Sequence, residues 1–228
     1  MQRILPAIFV FLLCAFSACK KSSDQPVSRM MVINGSINSS GLDVKAGADM
    51  VISNVGFGTS SGYQKVNSGS QQIAVLATGT TTALSSGTLN FNKDASYTLV
   101  ASDSVGQLKV TLLADNLTAP SSTQSGIRFL HLSNNAGPVD VRQGTTTLFA
   151  SRSFNDHLLS NTAGTFVPFN TVAGVPLDIT IFIAGTNILR TSIPGVVYQP
   201  GKLYTLVMRG NTGAAGNAAL ALALFNNN

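Results

Sequence analysis

Leu42-Asp43-Val44-Lys45-Ala46-Gly47 returns farther along the chain as Val139-Asp140-Val141-Arg142-Gln143-Gly144. Tyr97-Thr98-Leu99-Val100 returns unchanged as Tyr204-Thr205-Leu206-Val207. Between these markers Gly79-Thr80 answers to Gly185-Thr186, and Phe57 to Phe154. The offset drifts from 97 to 107 residues, so the second copy carries extra loop residues. Colinear self-similarity of this kind marks a duplicated structural unit. It restricts the 228-residue chain to two copies of one fold. Each copy has roughly 90–100 residues, enough for its own core. The expected units are 29–116 and 127–226. Between them lies the Ser-, Thr- and Pro-rich connector 117–126.

Within each unit the hydrophobic period is two. Leu108, Val110 and Leu112 alternate with Lys109 and Thr111, as a half-buried strand requires. Ile179, Ile181 and Ile183 alternate with Thr180, Phe182 and Ala184, a strand apolar on both faces. Leu220, Leu222 and Leu224 alternate with alanines, giving one large and one small face. Gly, Asn and Pro punctuate these runs at the short intervals of a sandwich. Composition excludes the alternatives. The nine acidic residues are all Asp, and charged residues make up only 10% of the chain, so the Glu/Lys pattern of a helical bundle is missing. With 44% hydrophobic residues and a net charge of +5, the chain is not disordered. No crossover helices are legible, which argues against a parallel α/β sheet. The expected fold is all-β: two tandem antiparallel immunoglobulin-like β-sandwiches of six to eight strands each.

The N-terminus reads as a secretory signal. Arg3 precedes the apolar run Ile4 to Phe16, broken only by Pro6 and too short to span about 30 Å of hydrocarbon. The run ends in Phe16-Ser17-Ala18-Cys19, which resembles a bacterial lipobox with Phe16 where Leu is usual. The implied lipoprotein signal peptide is 1–18, with Cys19 acylated as the new N-terminus and 19–28 as a tether. Both cysteines, Cys14 and Cys19, fall in this region, so the mature part offers neither a disulfide nor a thiolate metal site. Several acyl chains on one cysteine anchor firmly. Lys20 and Lys21 are either solvated residues of the tether or sit beside anionic head groups, where each would add about 1 kcal/mol. Elsewhere the basic residues are scattered, without the stripe that nucleic-acid binding needs.

The motifs Arg128-Phe129-Leu130-His131-Leu132-Ser133, Pro138-Val139-Asp140-Val141, Val55-Gly56-Phe57-Gly58 and Gly201-Lys202-Leu203-Tyr204-Thr205 resemble a family of uncharacterised envelope modules, the domain of unknown function 4397. The resemblance extends over about residues 29 to 226. In the first copy Ser40-Gly41-Leu42 replaces Pro-x-Val, and the Asn34-Gly35-Ser36 turn has no His. It implies a secreted or lipid-anchored β-sandwich protein and no known substrate.

The individual residues fit structural roles. Tyr97 and Tyr204 each follow a turn and open a strand, the setting of a tyrosine corner whose hydroxyl bonds to backbone upstream. Asp43 and Asp140 sit between apolar neighbours, where a hydrogen bond to nearby backbone is expected. A lone carboxylate supplies one of the six to eight oxygens that calcium takes. His131 lies in a turn motif and is expected in the core or bonded to the turn, whereas His157, after Asp156 in a polar loop, is expected in solvent. Two separated histidines do not make a zinc site. Without Glu only Asp pairs could serve a glycosidase, and no Gly-x-Ser-x-Gly elbow occurs. No Trp and four Tyr leave little for an aromatic sugar platform.

The expected function is therefore a non-catalytic, lipid-anchored cell-envelope protein of the outer membrane, facing the periplasm or the outside. It displays two modules for structural or adhesive contacts and uses no cofactor or metal. The alternative is a glycan- or peptide-binding accessory lipoprotein, with a pocket in the loops His131 to Pro138 and Phe154 to Phe169. Asp103-Ser104-Val105 resembles a bacterial three-residue O-glycosylation acceptor, with Ser104 as the modified residue.

Overall fold

A computed structural model describes residues 25–160 and 164–228. The signal segment, Cys19, Lys20 and Lys21 lie outside the described residues. The first module contains β1 (Val27–Asn34), β2 (Leu42–Ala46), β3 (Asp49–Val55), β4 (Gln64–Asn67), β5 (Gly69–Ala77), β6 (Ala83–Phe91), β7 (Ser96–Ser102) and β8 (Lys109–Asp115). The second contains β9 (Gln124–His131), β10 (Val139–Gln143), β11 (Thr146–Arg152), β12 (Val167–Asn170), β13 (Pro176–Ile183), β14 (Leu189–Val197), β15 (Leu203–Arg209) and β16 (Ala221–Asn226). Gln124, Ser125 and Gly126, read as connector from the sequence, already belong to β9.

Each module is two four-stranded sheets, and the two modules have the same topology. The sheets are β4-β1-β7-β8 with β3-β2-β5-β6, and β12-β9-β15-β16 with β11-β10-β13-β14. One expectation needs correction, because the sheets are not wholly antiparallel. β1 pairs parallel with β7, and β9 with β15. The first and seventh strands both start at the same end of the module. They are separated by five other strands, a connection long enough for a parallel pair.

Two of the cores lie inside the sandwiches. Met30, Val32, Leu42, Val44, Val75, Leu99 and Phe91 fill the first. Ile127, Phe129, Val139, Val141, Ile179, Ile181 and Leu206 fill the second, with Leu220, Leu222 and Leu224 packed against it from the large-residue face of the last strand. Both tyrosine corners are present. The Tyr97 hydroxyl accepts the Asn92 amide at 2.8 Å, and the Tyr204 hydroxyl accepts the Gln199 amide at 3.0 Å. In each case a buried ring fastens the turn before the strand to the strand itself.

A third core joins the modules. In β1 the residues that face away from the sandwich, Met31 and Ile33, are as buried as those facing in. With Val100 and Leu113 they pack on Leu130, Leu132 and Val207 of the second module, bordered by Tyr63 and Phe225. The sheets containing β1 and β9 thus face each other, and the tandem is a single block. The registers make Ile33 equivalent to Leu130, Val100 to Val207 and Leu113 to Phe225. The two modules therefore meet through the same face, as in a two-fold dimer. Gly35 is equivalent to Leu132, and its missing side chain makes the space Leu132 occupies, since a Cβ there would collide with the leucine.

The modules also point the same way. Arg209, at the end of β15, lies over the ring of Phe57, beyond the end of β3, at 4.8 Å. Reciprocally, Lys109 at the start of β8 lies over Phe154, beyond the end of β11, at 5.8 Å. At the opposite end, here called the base, Val27 is bonded to the turn before β7, and Pro26 to the turn before β5. The connector between β8 and β9 and the terminal Asn228 lie at that end too.

Candidate functional site

Charged chemistry concentrates in the seam between modules. Arg128 stands at the position Met31 holds in the first copy, in a strand buried on both faces. Its side chain is fully buried and uses its fork in three directions. It donates to Asp115 Oδ1 at 2.6 Å, Thr98 Oγ1 at 2.6 Å and Thr205 Oγ1 at 2.7 Å. The Thr98 hydroxyl donates to Asp115 Oδ2 at 2.7 Å, and Thr205 donates to Asn227 Oδ1 at 2.7 Å. The Tyr63 hydroxyl donates to Asp115 Oδ2 at 2.6 Å and accepts from Asn227 Nδ2 at 3.3 Å. Burial first, then the neighbouring Asp115 carboxylate, push the Tyr63 hydroxyl pKa far up, so it stays a donor. Phe166 covers the guanidinium at 4.6 Å. Register makes Asp115 the counterpart of Asn227 and Tyr63 that of Phe166. One ion pair has thus been written into an otherwise self-matching face. Such a pair fixes which surfaces meet and in what register. Sequence reading did not single out Asp115 or assign Arg128 this role. Met30 to Ile33 is apolar at every position, which marks a strand covered on both faces, but nothing in Ile127 to Leu130 names the partner of Arg128.

The two repeated aspartates do what their setting implied. Asp43 accepts the amides of Asn54 (2.8 Å) and Gly79 (3.2 Å) and the Thr78 hydroxyl (3.0 Å). Burial pushes its carboxyl up, but these three donors together outweigh it and hold the pKa below the usual value. Asp140 accepts the amides of Ser151 (2.8 Å) and Gly185 (2.9 Å), and those bonds lower its pKa against the opposing effect of burial, with Arg142 assisting. Asn54 and Ser151 have φ of 54° and 51°, the left-handed conformation. Each aspartate therefore pins a bulge in one neighbouring strand to the turn that follows another. This accounts for the paired Gly-Thr markers, because Gly79 and Gly185 supply one of the amides.

His131 is buried, with Nε2 2.9 Å from the Gly137 carbonyl; a carbonyl only accepts, so Nε2 carries the proton. Burial lowers its pKa, partly offset by the Gly137 bond. Asn34 holds the equivalent position in the first module and likewise bonds its turn, accepting the Ser36 amide and donating to Val55 O. The expectation for His157 is overturned. It is 3% exposed, and among the described residues neither ring nitrogen has a hydrogen-bond partner. The reason is local. Asn155 turns the chain with φ of 56°, and a single 3-10 turn over Asp156–Leu158 follows. Arg152 binds the Asp156 carboxylate and the Phe129 carbonyl, which clamps that turn onto β9 with His157 inside. Burial depresses the His157 pKa to about 4, against the opposing charge of Asp156.

Ser104 is half-buried in the β7–β8 loop, its amide bonded to the Asp103 carboxylate at 2.9 Å. Among the described residues no three His, Cys, Asp or Glu side chains gather as a metal site. No helix among them is long and apolar enough to cross a membrane. A cleft of about 340 Å³ opens where the modules and connector meet, lined by Ala114, Asn116, Thr118, Phe166, Pro168 and Leu203.

These features define a class: two repeats of one all-β sandwich, each with an aspartate latch and a tyrosine corner, fused through a common face. The sequence profile of the family described as Domain of unknown function (DUF4397) matches residues 28–142, and the chain belongs to that family. The match covers the first module, the connector and most of the first two strands of the second. No curated protein matches the chain. Among solved structures, it is similar to a fimbrial assembly protein from Parabacteroides distasonis, at 8% identity over 89% of this chain and 96% of that one, with a TM-score of 0.27. It is also similar to a protein named for cell adhesion from Bacteroides eggerthii, at 12% identity over 89% of this chain and 95% of that one, with a TM-score of 0.21. At such TM-scores neither likeness bears on what this chain does.

Proposed function

We propose that the chain is a non-catalytic, lipid-anchored protein of the cell envelope that holds two fused sandwiches out from the outer membrane as one block for structural or adhesive contacts. The observation that carries this reading is the third core. It makes one stiff body whose base receives the chain from the anchor side. The far end presents exposed Leu158 and Leu159 at the 3-10 turn and Ile188 and Leu189 where the β13–β14 turn enters β14. Exposed apolar tips at the end remote from an anchor suit contact with a partner. The side chains that sequence reading weighed for chemistry, Asp43, Asp140, His131, Tyr97 and Tyr204, are engaged in backbone hydrogen bonds. The anchor rests on Phe16-Ser17-Ala18-Cys19. Ser104, in a loop at the far end, is the residue proposed for O-glycosylation, read by the mass of the purified protein and of its Ser104→Ala variant.

Two experiments test the reading. Cys19→Ala should move the protein from the membrane to the soluble fraction; unchanged retention would refute the anchor. Cells carrying the protein should adhere or aggregate less when Leu159 and Ile188 are both changed to Ser, and equal adhesion would refute the contact role. The cleft of about 340 Å³ favours the second reading, a glycan- or peptide-binding accessory lipoprotein, because that size lies in the range of ligand sites. Saturable hits of the Cys19→Ala chain on glycan or peptide arrays, abolished by a cleft substitution such as Phe166→Ala, would favour it.

A further inference from the structure

We propose that the base of the block is a membrane seat, in which Val172, Val175 and Val197 rest in the head-group layer of the lipid surface to which the chain is anchored. This rests on the anchoring reading above and adds an orientation to it. Apart from Val167 in β12, the large apolar side chains left exposed lie towards the two ends of the block. Leu158, Leu159, Ile188 and Leu189 are at the far end, while Val27, Met50, Val172, Val175 and Val197 are at the base. Val172, Val175 and Val197 form one patch. The Val175 amide bonds the Val172 carbonyl, and the next residue, Pro176, pairs with Val197 across the β13–β14 ladder. They are 64%, 43% and 52% exposed; Val172 and Val175 lie on the turn where the first module has only Ser68 between β4 and β5, and Val197 ends β14.

What selects a lipid surface as the occupant is the chain itself. Val27, also exposed, opens β1 at this end, and only Lys20 to Pro26 separate it from Cys19. Seven residues reach about 25 Å at most when extended, so an acylated Cys19 keeps the base near the bilayer. The modules point the same way, so both bases face it together. Lys93 and Lys202 occupy turns at this end, with Asp94 beside Lys93 and Asp49 on the adjoining hairpin. Apolar side chains flanked by lysines suit the boundary between head groups and acyl chains. The tail supplies the attachment, and the valines decide which way up the block stands.

The chain has no Trp, so a single introduced Trp reports without background. Full-length lipidated protein carrying Val175→Trp, Val172→Trp or Ile188→Trp would be reconstituted into phosphatidylethanolamine/phosphatidylglycerol vesicles, a fraction with brominated acyl chains. Emission from Val175→Trp and Val172→Trp should shift to shorter wavelength and be quenched, while Ile188→Trp does neither. Using two base reporters guards against one substitution perturbing the turn. Unquenched base reporters in protein still held through Cys19 would overturn the seat and leave the anchor standing. Quenching that persists in Cys19→Ala protein still bound to vesicles would uphold the seat and refute the anchor. A blue shift before vesicles are added would mean that the patch is covered by another copy of the chain, which also overturns the seat.

Discussion

His157 shows how one buried side chain ties this fold to pH. Its imidazole is enclosed with no hydrogen-bond partner among the described residues, and burial holds the neutral form in the native state, with a pKa near 4 against an ordinary 6.5. The unfolded chain therefore binds a proton that the folded chain refuses between those values. Above pH 6.5 the residue is neutral in both states and stability does not change with pH on its account. As pH falls from 6.5 towards 4, stability should drop by roughly 3 kcal/mol, since each unit of pKa difference is worth about 1.4 kcal/mol. His131, lowered in the same direction, adds to the slope. The urea midpoint measured from pH 7 to pH 4 checks this. In His157→Leu most of that fall should disappear, and an unchanged slope would place the responsible groups elsewhere. The sequence hid this residue because Asp156 and Arg152 look like solvated loop charges. Their mutual bond, with Arg152 also held by the Phe129 carbonyl, folds the turn inward.

At the level of the strand and turn, Asp140 does the work of a staple. It accepts the amides of Ser151, in the β11 bulge, and Gly185, in the β13–β14 turn. Asp140→Ala leaves both amides without a charged acceptor, and a bond to a charged group is worth about 1.5–3 kcal/mol, so a loss on the order of 3 kcal/mol is expected. Asp43→Ala should cost about as much, for the same reason. Asp178, exposed and accepting the Gly195 amide, provides the contrast, and its alanine variant should lose less than about 1 kcal/mol. Chemical denaturation of the three variants ranks them; equal losses would mean the carboxylate latch has no special weight. The staple was legible in the sequence because it is local in pattern: an aspartate between two apolar residues, repeated with its Gly-Thr turn. The strands themselves were legible from their period of two. The parallel pairing of β1 with β7 was not, because alternation states which side chains share a face and says nothing of which distant strand lies alongside.

For the molecule as a whole, the question is why two copies of one sandwich behave as a single body. Their shared face would match itself if the copies were identical, and it is the divergence at equivalent positions that commits each copy to its role. The first module contributes Asp115 and Tyr63 where the second has Asn227 and Phe166; the second contributes Arg128 where the first has Met31. Alternation along β9 could not reveal this, since a strand covered on both faces gives a lone arginine no visible destination. Arg128→Met should be severe. It strands the fully buried Asp115 carboxylate, and breaking a buried pair costs about 3–5 kcal/mol. Adding Asp115→Asn removes the stranded charge and gives both positions the residue already found at their counterparts. The double variant should therefore recover most of the loss, because a well-packed neutral replacement of a buried pair is often close to neutral. Calorimetry reads both levels at once. The native protein should melt as one transition through its third core, Arg128→Met at lower temperature with the modules uncoupling into two, and the double variant as one again. Strictly additive losses in this cycle would show that Arg128 and Asp115 are not coupled, and the seam would then be held chiefly by the apolar residues of the third core.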